Sequence, residues 1–111
     1  MAVIDAGYAI SPDGMKAQIE SGIIYGLSAA LYGEITIKDG AVAQSNFHDY
    51  PSVRMSKAPA IETYIINSGE VMGGAGEPGT PPIAPALANA IFNATGERIR
   101  QLPIKNSALK V

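Results

Sequence analysis

The sequence has 111 residues, of which 47% are hydrophobic and 16% charged, with a formal net charge of −2 and no cysteine. This length suits one small domain with a single core. The missing cysteines exclude disulfides and thiolate metal ligands, and the acidic balance argues against a nucleic-acid partner, which requires a clustered basic patch. No apolar run approaches the ~18 residues that a membrane span needs. The low charged fraction indicates surface that other polypeptide covers. The compartment, cytoplasmic or periplasmic, stays unknown.

The N-terminal third predicts a strand over 2–10, a turn at 11–14 and a helix over 15–31. Apolar side chains recur in this helix every four residues, at Ile19, Ile23, Leu27 and Leu31. That period is typical of a helix with one buried face. Gly22 and Gly26 form a second stripe at the same spacing. Since each interior glycine costs a helix about 1 kcal/mol relative to alanine, we expect another backbone to pack very close to them.

An Asp39-Gly40 pair between strand-like runs at 34–38 and 41–44 predicts a hairpin with a type I′ turn. A third strand is predicted over 60–66, because the sequence alternates there and ends before a turn-forming triplet.

A second helix is predicted over 83–95, starting near Pro82, because Pro85 fits only in a first helical turn. Gly96 then follows the helix as its C′ residue. Together these elements predict an α+β fold with two helices packed on one face of a mixed or antiparallel sheet. We expect one domain over 1–111, with a tail from about residue 103.

A glycine and proline run at 73–82 holds a single carboxylate, Glu77. Glycine permits close approach of another molecule, and Pro78 biases Glu77 toward extended backbone. One interpretation is a catalytic base in a dry, glycine-lined pocket, where desolvation favours proton abstraction. The other is an exposed loop that leads into the second helix. Spacing alone leaves both open.

The sequence predicts no metal site built from protein ligands alone, because His48 is the only histidine and the ten acids are scattered. A phosphate cradle in the glycine run is disfavoured, since the loop lacks the lysine of a P-loop and carries an acid.

Four segments occur in an order that resembles a known family: residues 17–22, 26–36, 46–50 and 76–90. They resemble the C-terminal end of the large subunit of molybdenum hydroxylases, the xanthine dehydrogenase and aldehyde oxidase family. The isoquinoline 1-oxidoreductase beta subunit and aldehyde dehydrogenase branch matches best. The Gly-Glu-Pro-Gly-Thr-Pro-Pro run at 76–82 is the most specific of these motifs.

The resemblance implies a molybdenum-dependent oxidoreductase that hydroxylates an aldehyde or N-heterocycle carbon with water as the oxygen source. Glu77 matches the family glutamate that acts as the base beside molybdenum. Gln18 matches the glutamine that approaches the pyranopterin, and Gly76 is implied as a further cofactor contact. Ala17 and Ser21 stand where the family often has glycine.

The resemblance also implies molybdopterin cytosine dinucleotide with molybdenum in the full-length enzyme, and iron–sulfur clusters on a partner subunit. The chain would be part of a cofactor-binding lobe, with the remainder of the large subunit, the iron–sulfur small subunit and a small-molecule substrate as partners. We expect the isolated chain to lack the cofactor and activity, and to self-associate. The alternative is a non-catalytic assembly or binding module of the same fold.

Overall fold

The computed structural model describes residues 1–104, and these form short strands and two longer helices. In chain order the elements are β1 (Ala2–Asp5), α1 (Pro12–Tyr32), β2 (Ile37–Lys38), β3 (Ala41–Val42), a 3₁₀ turn (Met55–Lys57), β4 (Thr63–Ile66) and α2 (Ile83–Thr95). The predicted α+β class is therefore confirmed.

Strand pairing differs from the single sheet that the sequence predicts. Within residues 1–104, β1 pairs in parallel with β4, from Ala2 opposite Thr63 to Asp5 opposite Ile66, while β2 and β3 form a separate antiparallel hairpin. Parallel strands need a long crossover, commonly a helix, to reverse the chain direction. Here the connection from β1 to β4 contains α1. The hairpin lies in the same connection and forms a sheet of its own.

The core lies between the parallel sheet and α1. Ile4 and Ala6, from β1 and the turn after it, pack with Ile19 and Ile23 of α1, and Ile83 of α2 packs against this cluster. Helix α1 also contacts α2. The four-residue apolar period of α1 therefore identifies its buried face correctly.

Gly22 and Gly26 of α1 lie directly against another backbone, as the sequence predicts. A Cβ atom at Gly22 would stand 3.2 Å from the Cα of Gly79, and one at Gly26 would stand 2.6 Å from the carbonyl oxygen of Thr80. The Thr80 hydroxyl also donates a hydrogen bond to the Gly22 carbonyl, at 3.2 Å. The loop before α2 is thus held against α1 by main-chain contact.

Helix α1 starts earlier than predicted, because residues 12–14 belong to its first turn instead of a separate turn. The Met15 N–H donates to the Ser11 carbonyl at 2.9 Å. Pro12 is tolerated at this position, since the first helical N–H groups have no partner within a helix.

The predicted second helix and the predicted hairpin turn agree with the structure, whereas the strands are shorter than predicted. Helix α2 spans 83–95, and Gly96 ends it with φ 76° while its N–H donates to the Phe92 carbonyl at 2.8 Å. Asp39 and Gly40 both have positive φ, 51° and 78°, as a type I′ turn requires. The third predicted strand is shorter than 60–66 and begins at Thr63.

The segment expected to be a tail from about residue 103 is described only as far as Ile104, and residues 105–111 lie outside the described part. Ile104 is buried, and its N–H donates to the Ala30 carbonyl at 2.7 Å. Neither helix described in residues 1–104 combines the length and apolarity needed to span a bilayer.

Much apolar surface stays uncovered in the described residues. Met55 and Val71 are 93% and 92% exposed, and Ile10 and Phe47 are 76% and 75% exposed. Exposed apolar side chains, where they cluster, mark contact sites or drive association. We therefore expect the isolated 111-residue chain to self-associate. Light scattering should give a mass above the 11.5 kDa of one chain, and a clean monomer at high concentration would contradict this expectation.

Candidate functional site

An open cleft of 540 Å³ lies between α1 and the loop that precedes α2. Its lining residues are Gln18, Ser21, Gly22, Tyr25, Gly76, Glu77, Thr80 and Pro81. The structure therefore brings together all three predicted site residues, Gln18 from the helix and Gly76 and Glu77 from the loop. Their roles remain predictions.

A turn fixes the position of Glu77 in the loop. The Thr80 N–H donates to the Glu77 carbonyl at 2.9 Å, and the Ile83 N–H donates to the Thr80 carbonyl at 3.3 Å. Pro78 occupies the second position of this turn, where its fixed φ is favoured. Gly79 is buried, and a Cβ there would stand 2.6 Å from the Ile19 carbonyl oxygen. Glu77 is thus two residues from a point where the loop is fixed to α1.

The helix side of the cleft is one face of α1. Gln18, Ser21 and Tyr25 lie at positions i, i+3 and i+7, which share a face of an α-helix. On this helix face, only Gln18 was predicted from the sequence to contact a ligand. The same helical period, applied from Gln18, would have identified Ser21 and Tyr25.

Glu77 is exposed, so the dry pocket that the sequence argument invoked is not formed by residues 1–104. The reason is local: a Cβ placed on Gly73, Gly74 or Gly76 would meet no atom within 4 Å. The described loop therefore stands against open space on the side of Glu77. That space is where a ligand or further polypeptide could lie.

Two carboxylates away from the cleft are stabilised in their charged form. The Gly7 N–H, and after it the Ser68 hydroxyl, lowers the pKa of Asp5 below its usual value, and both donate to Oδ1 at 2.9 Å. Backbone N–H groups of Asn46 and then Ser45 likewise lower the pKa of Asp49. The hydrogen bonds that favour ionised Asp49 stabilise a local turn, whereas those to Asp5 also link the turn after β1 to Ser68, which follows β4.

His48 belongs to the turn around Asp49 and does not line the cleft. Its side chain is 74% exposed, and its Nε2 lies 3.6 Å from Asp49 Oδ2. No group of three His, Cys, Asp or Glu side chains that could hold a metal ion occurs within the described part of the chain.

The fold is shared with a structurally characterised oxidoreductase. The crystal structure of quinoline 2-oxidoreductase from Pseudomonas putida 86 superimposes with a TM-score of 0.76 over 96% of this chain and 15% of that chain, at 23% sequence identity. Because the sequence identity is only 23%, this structural similarity establishes the fold and nothing more.

Sequence comparison identifies the family. Residues 1–59 match the molybdopterin cofactor-binding domain. The chain is 42% identical over 102 residues to isoquinoline 1-oxidoreductase subunit beta of Brevundimonas diminuta, covering 92% of this chain and 13% of that protein. It is 39% identical over 103 residues to a membrane-bound aldehyde dehydrogenase of Gluconacetobacter polyoxogenes, covering 93% and 13%.

The chain belongs to the molybdopterin cofactor-binding domain family, because the family match covers more than half of it. The predicted resemblance to the molybdenum hydroxylases, within the isoquinoline 1-oxidoreductase and aldehyde dehydrogenase branch, is confirmed. The chain spans only 13% of the length of these two relatives. The family match ends before the Glu77 loop, while the pairwise similarities cover nearly the whole chain.

Proposed function

We propose that this chain forms one wall of the active site of a molybdenum-dependent hydroxylase acting on an aldehyde or N-heterocycle carbon, with water as the oxygen source. The main support for this proposal is that Gln18 and Glu77 line the same cleft in a chain that belongs to this family. The names of the relatives, an isoquinoline oxidoreductase and an aldehyde dehydrogenase, support these substrate classes.

The cleft fits a polar organic cofactor. It is open, it measures 540 Å³, and its loop side lacks Cβ atoms at Gly73, Gly74 and Gly76. Gln18 would hold the pterin through its carboxamide, which both donates and accepts hydrogen bonds, and Gly76 would let the cofactor approach the loop backbone. When bound, molybdopterin cytosine dinucleotide would supply the molybdenum redox chemistry that takes two electrons from the substrate.

Glu77 would act as the general base. Its carboxylate would accept on one oxygen the proton released as water oxygen is transferred to the substrate carbon. The Glu77–Thr80 turn and the Gly79 contact with α1 would hold the main chain of Glu77 at a fixed position along the helix. Enclosure of Glu77 would come from neighbouring polypeptide, because the described residues leave it exposed.

The remaining walls of the site would come from the rest of the large subunit. Both relatives are far longer than this chain, and one is named as the beta subunit of its enzyme. Iron–sulfur clusters on a partner small subunit would carry the electrons away. The exposed apolar residues Met55, Val71 and Phe47 supply surface that such neighbours could cover.

Metal and pterin analysis tests this proposal. We expect the complete assembly to contain about one molybdenum and one pterin per large subunit, while the isolated 111-residue chain contains neither and shows no hydroxylase activity. The reason is that one wall offers few of the contacts that a tightly bound cofactor needs. Stoichiometric cofactor in the purified isolated chain would contradict the expectation that this chain alone does not bind the cofactor.

The exposed apolar surface also favours a second candidate, a non-catalytic assembly module of the same fold. The same analysis separates the two candidates. A complete assembly that carries no molybdenum and no pterin would favour the assembly module and leave Glu77 without a catalytic role. A neighbouring reading frame for the rest of the large subunit and for an iron–sulfur subunit would favour the enzyme.

A further inference from the structure

The helix side of the cleft carries more polar groups than Gln18. Ser21 and Tyr25 line the same cleft, and Tyr25 is 73% exposed. Within residues 1–104, no side-chain hydrogen bond is made by any of the four exposed polar residues that line it, Gln18, Ser21, Tyr25 and Glu77.

Other hydroxyl groups nearby are engaged in the fold. The Ser28 hydroxyl donates to the Ile24 carbonyl at 2.9 Å and accepts from the Val53 N–H at 3.1 Å, while Thr80 is bonded to Gly22. Ser21 could bond back to the preceding turn as Ser28 does, and it does not. Thr80 lines the cleft as well, but its hydroxyl is bonded to Gly22; the Gln18, Ser21, Tyr25 and Glu77 side chains are left free for another molecule.

We infer that Ser21 and Tyr25 extend the Gln18 contact into a row of hydrogen-bonding groups that binds the pterin portion of the cofactor. This inference rests on the proposed function. Gln18, Ser21 and Tyr25 share one helix face, and seven residues of helix rise by about 10 Å. The row therefore fits an elongated, flat heterocycle with polar edges lying along α1, opposite the Glu77 loop.

Tyr25 also marks the end of this polar row. Its ring lines a second cavity of 390 Å³ together with the aromatic residues Phe47 and Tyr50. The lining of this second cavity is mainly apolar, whereas the cleft presents the polar groups of Gln18, Ser21 and Glu77. A polar ligand that contacts Gln18 and Ser21 would end at the Tyr25 hydroxyl, because beyond it the surface offers mainly apolar contact.

The test is the rate at which pterin leaves the complete, cofactor-loaded enzyme after dilution into buffer with a competing apo-enzyme. Released pterin is followed by its fluorescence. A lost hydrogen bond weakens binding by roughly fivefold, and such differences appear mainly in the dissociation rate. We expect Ser21→Ala and Tyr25→Phe each to release pterin about fivefold faster, and the double variant about 25-fold faster, if the two bonds act independently.

Matched controls are Ser56→Ala and Tyr64→Phe, since both residues lie outside the cleft. They should release pterin at the wild-type rate. Wild-type rates in Ser21→Ala and Tyr25→Phe, with faster release in Gln18→Ala, would overturn this inference and leave the proposed function standing. Wild-type release in all three, Gln18→Ala included, would overturn the cofactor contacts of the proposed function as well. Equal acceleration in the controls would also overturn the inference, because it would show a general loss of structure.

Discussion

Replacing Glu77 with glutamine in the complete enzyme is expected to lower the turnover number by about 10² to 10⁴, the range that general base catalysis contributes. Glutamine keeps the size of the side chain and its hydrogen-bonding capacity, but it does not accept the proton. The turn that holds position 77 uses the main-chain carbonyl, so it persists in the variant. Cofactor content and thermal stability should therefore stay at wild-type values while turnover falls.

Glu62→Gln is the matched control for this experiment. Glu62 is exposed, precedes β4, and does not line the cleft. Its substitution should change turnover by less than about tenfold, the rate equivalent of ~1.4 kcal/mol. Near-normal turnover in Glu77→Gln with full molybdenum loading would remove Glu77 from the mechanism.

The second large effect is expected at Gly79, where a methyl group would meet the backbone of α1. A Cβ at Gly79 would stand 2.6 Å from the Ile19 carbonyl oxygen, so helix and loop must separate to admit it. Overpacking of this kind typically costs about 1–3 kcal/mol. The φ of Gly79 lies outside the left-handed region, so the loss comes from the contact alone. We expect Gly79→Ala to lower the free energy of unfolding of the 111-residue chain by that amount.

Gly74→Ala is the control in the same loop. A Cβ there meets no atom within 4 Å, so the change should stay within about 0.5 kcal/mol of wild type. The chain has no tryptophan, and urea unfolding is therefore best followed by the circular dichroism of the helices. All variants must be compared at one protein concentration, because association shifts apparent stability. Equal stability of Gly79→Ala and Gly74→Ala would show that the loop is not held by this contact.

The features predicted well from sequence are those that depend on local periodicity and on the residues of a single turn. The apolar period of Ile19 and Ile23, the Asp39-Gly40 turn and the left-handed Gly96 each depend on a few neighbouring residues. The Gly22 and Gly26 stripe also predicted close backbone contact, because two helix-weakening residues on one face need a packing reason. It did not identify the contacting backbone.

The features predicted poorly depend on partners far apart in the chain. Nothing local in β1 indicates that Ala2 pairs with Thr63, and the parallel pairing was missed for that reason. The sequence left the enclosure of Glu77 open for a similar reason. Glycine and proline around an acid indicate a shaped loop, but burial depends on what covers the loop, and residues 1–104 do not cover it.

The parallel pairing of β1 with β4 also constrains the order in which the polypeptide can assemble. Helix α1 and the hairpin involve only neighbouring residues, so each can form as soon as its own segment leaves the ribosome. Strand β1 must wait until Ile66 has been synthesised, and closing so long a loop carries an entropic cost that local elements avoid. Until then Val3 and Ile4 lack their strand partner. Strand β1 is thus synthesised before α1 but can reach its final place only after it, and its apolar side chains need protection from aggregation in the interval.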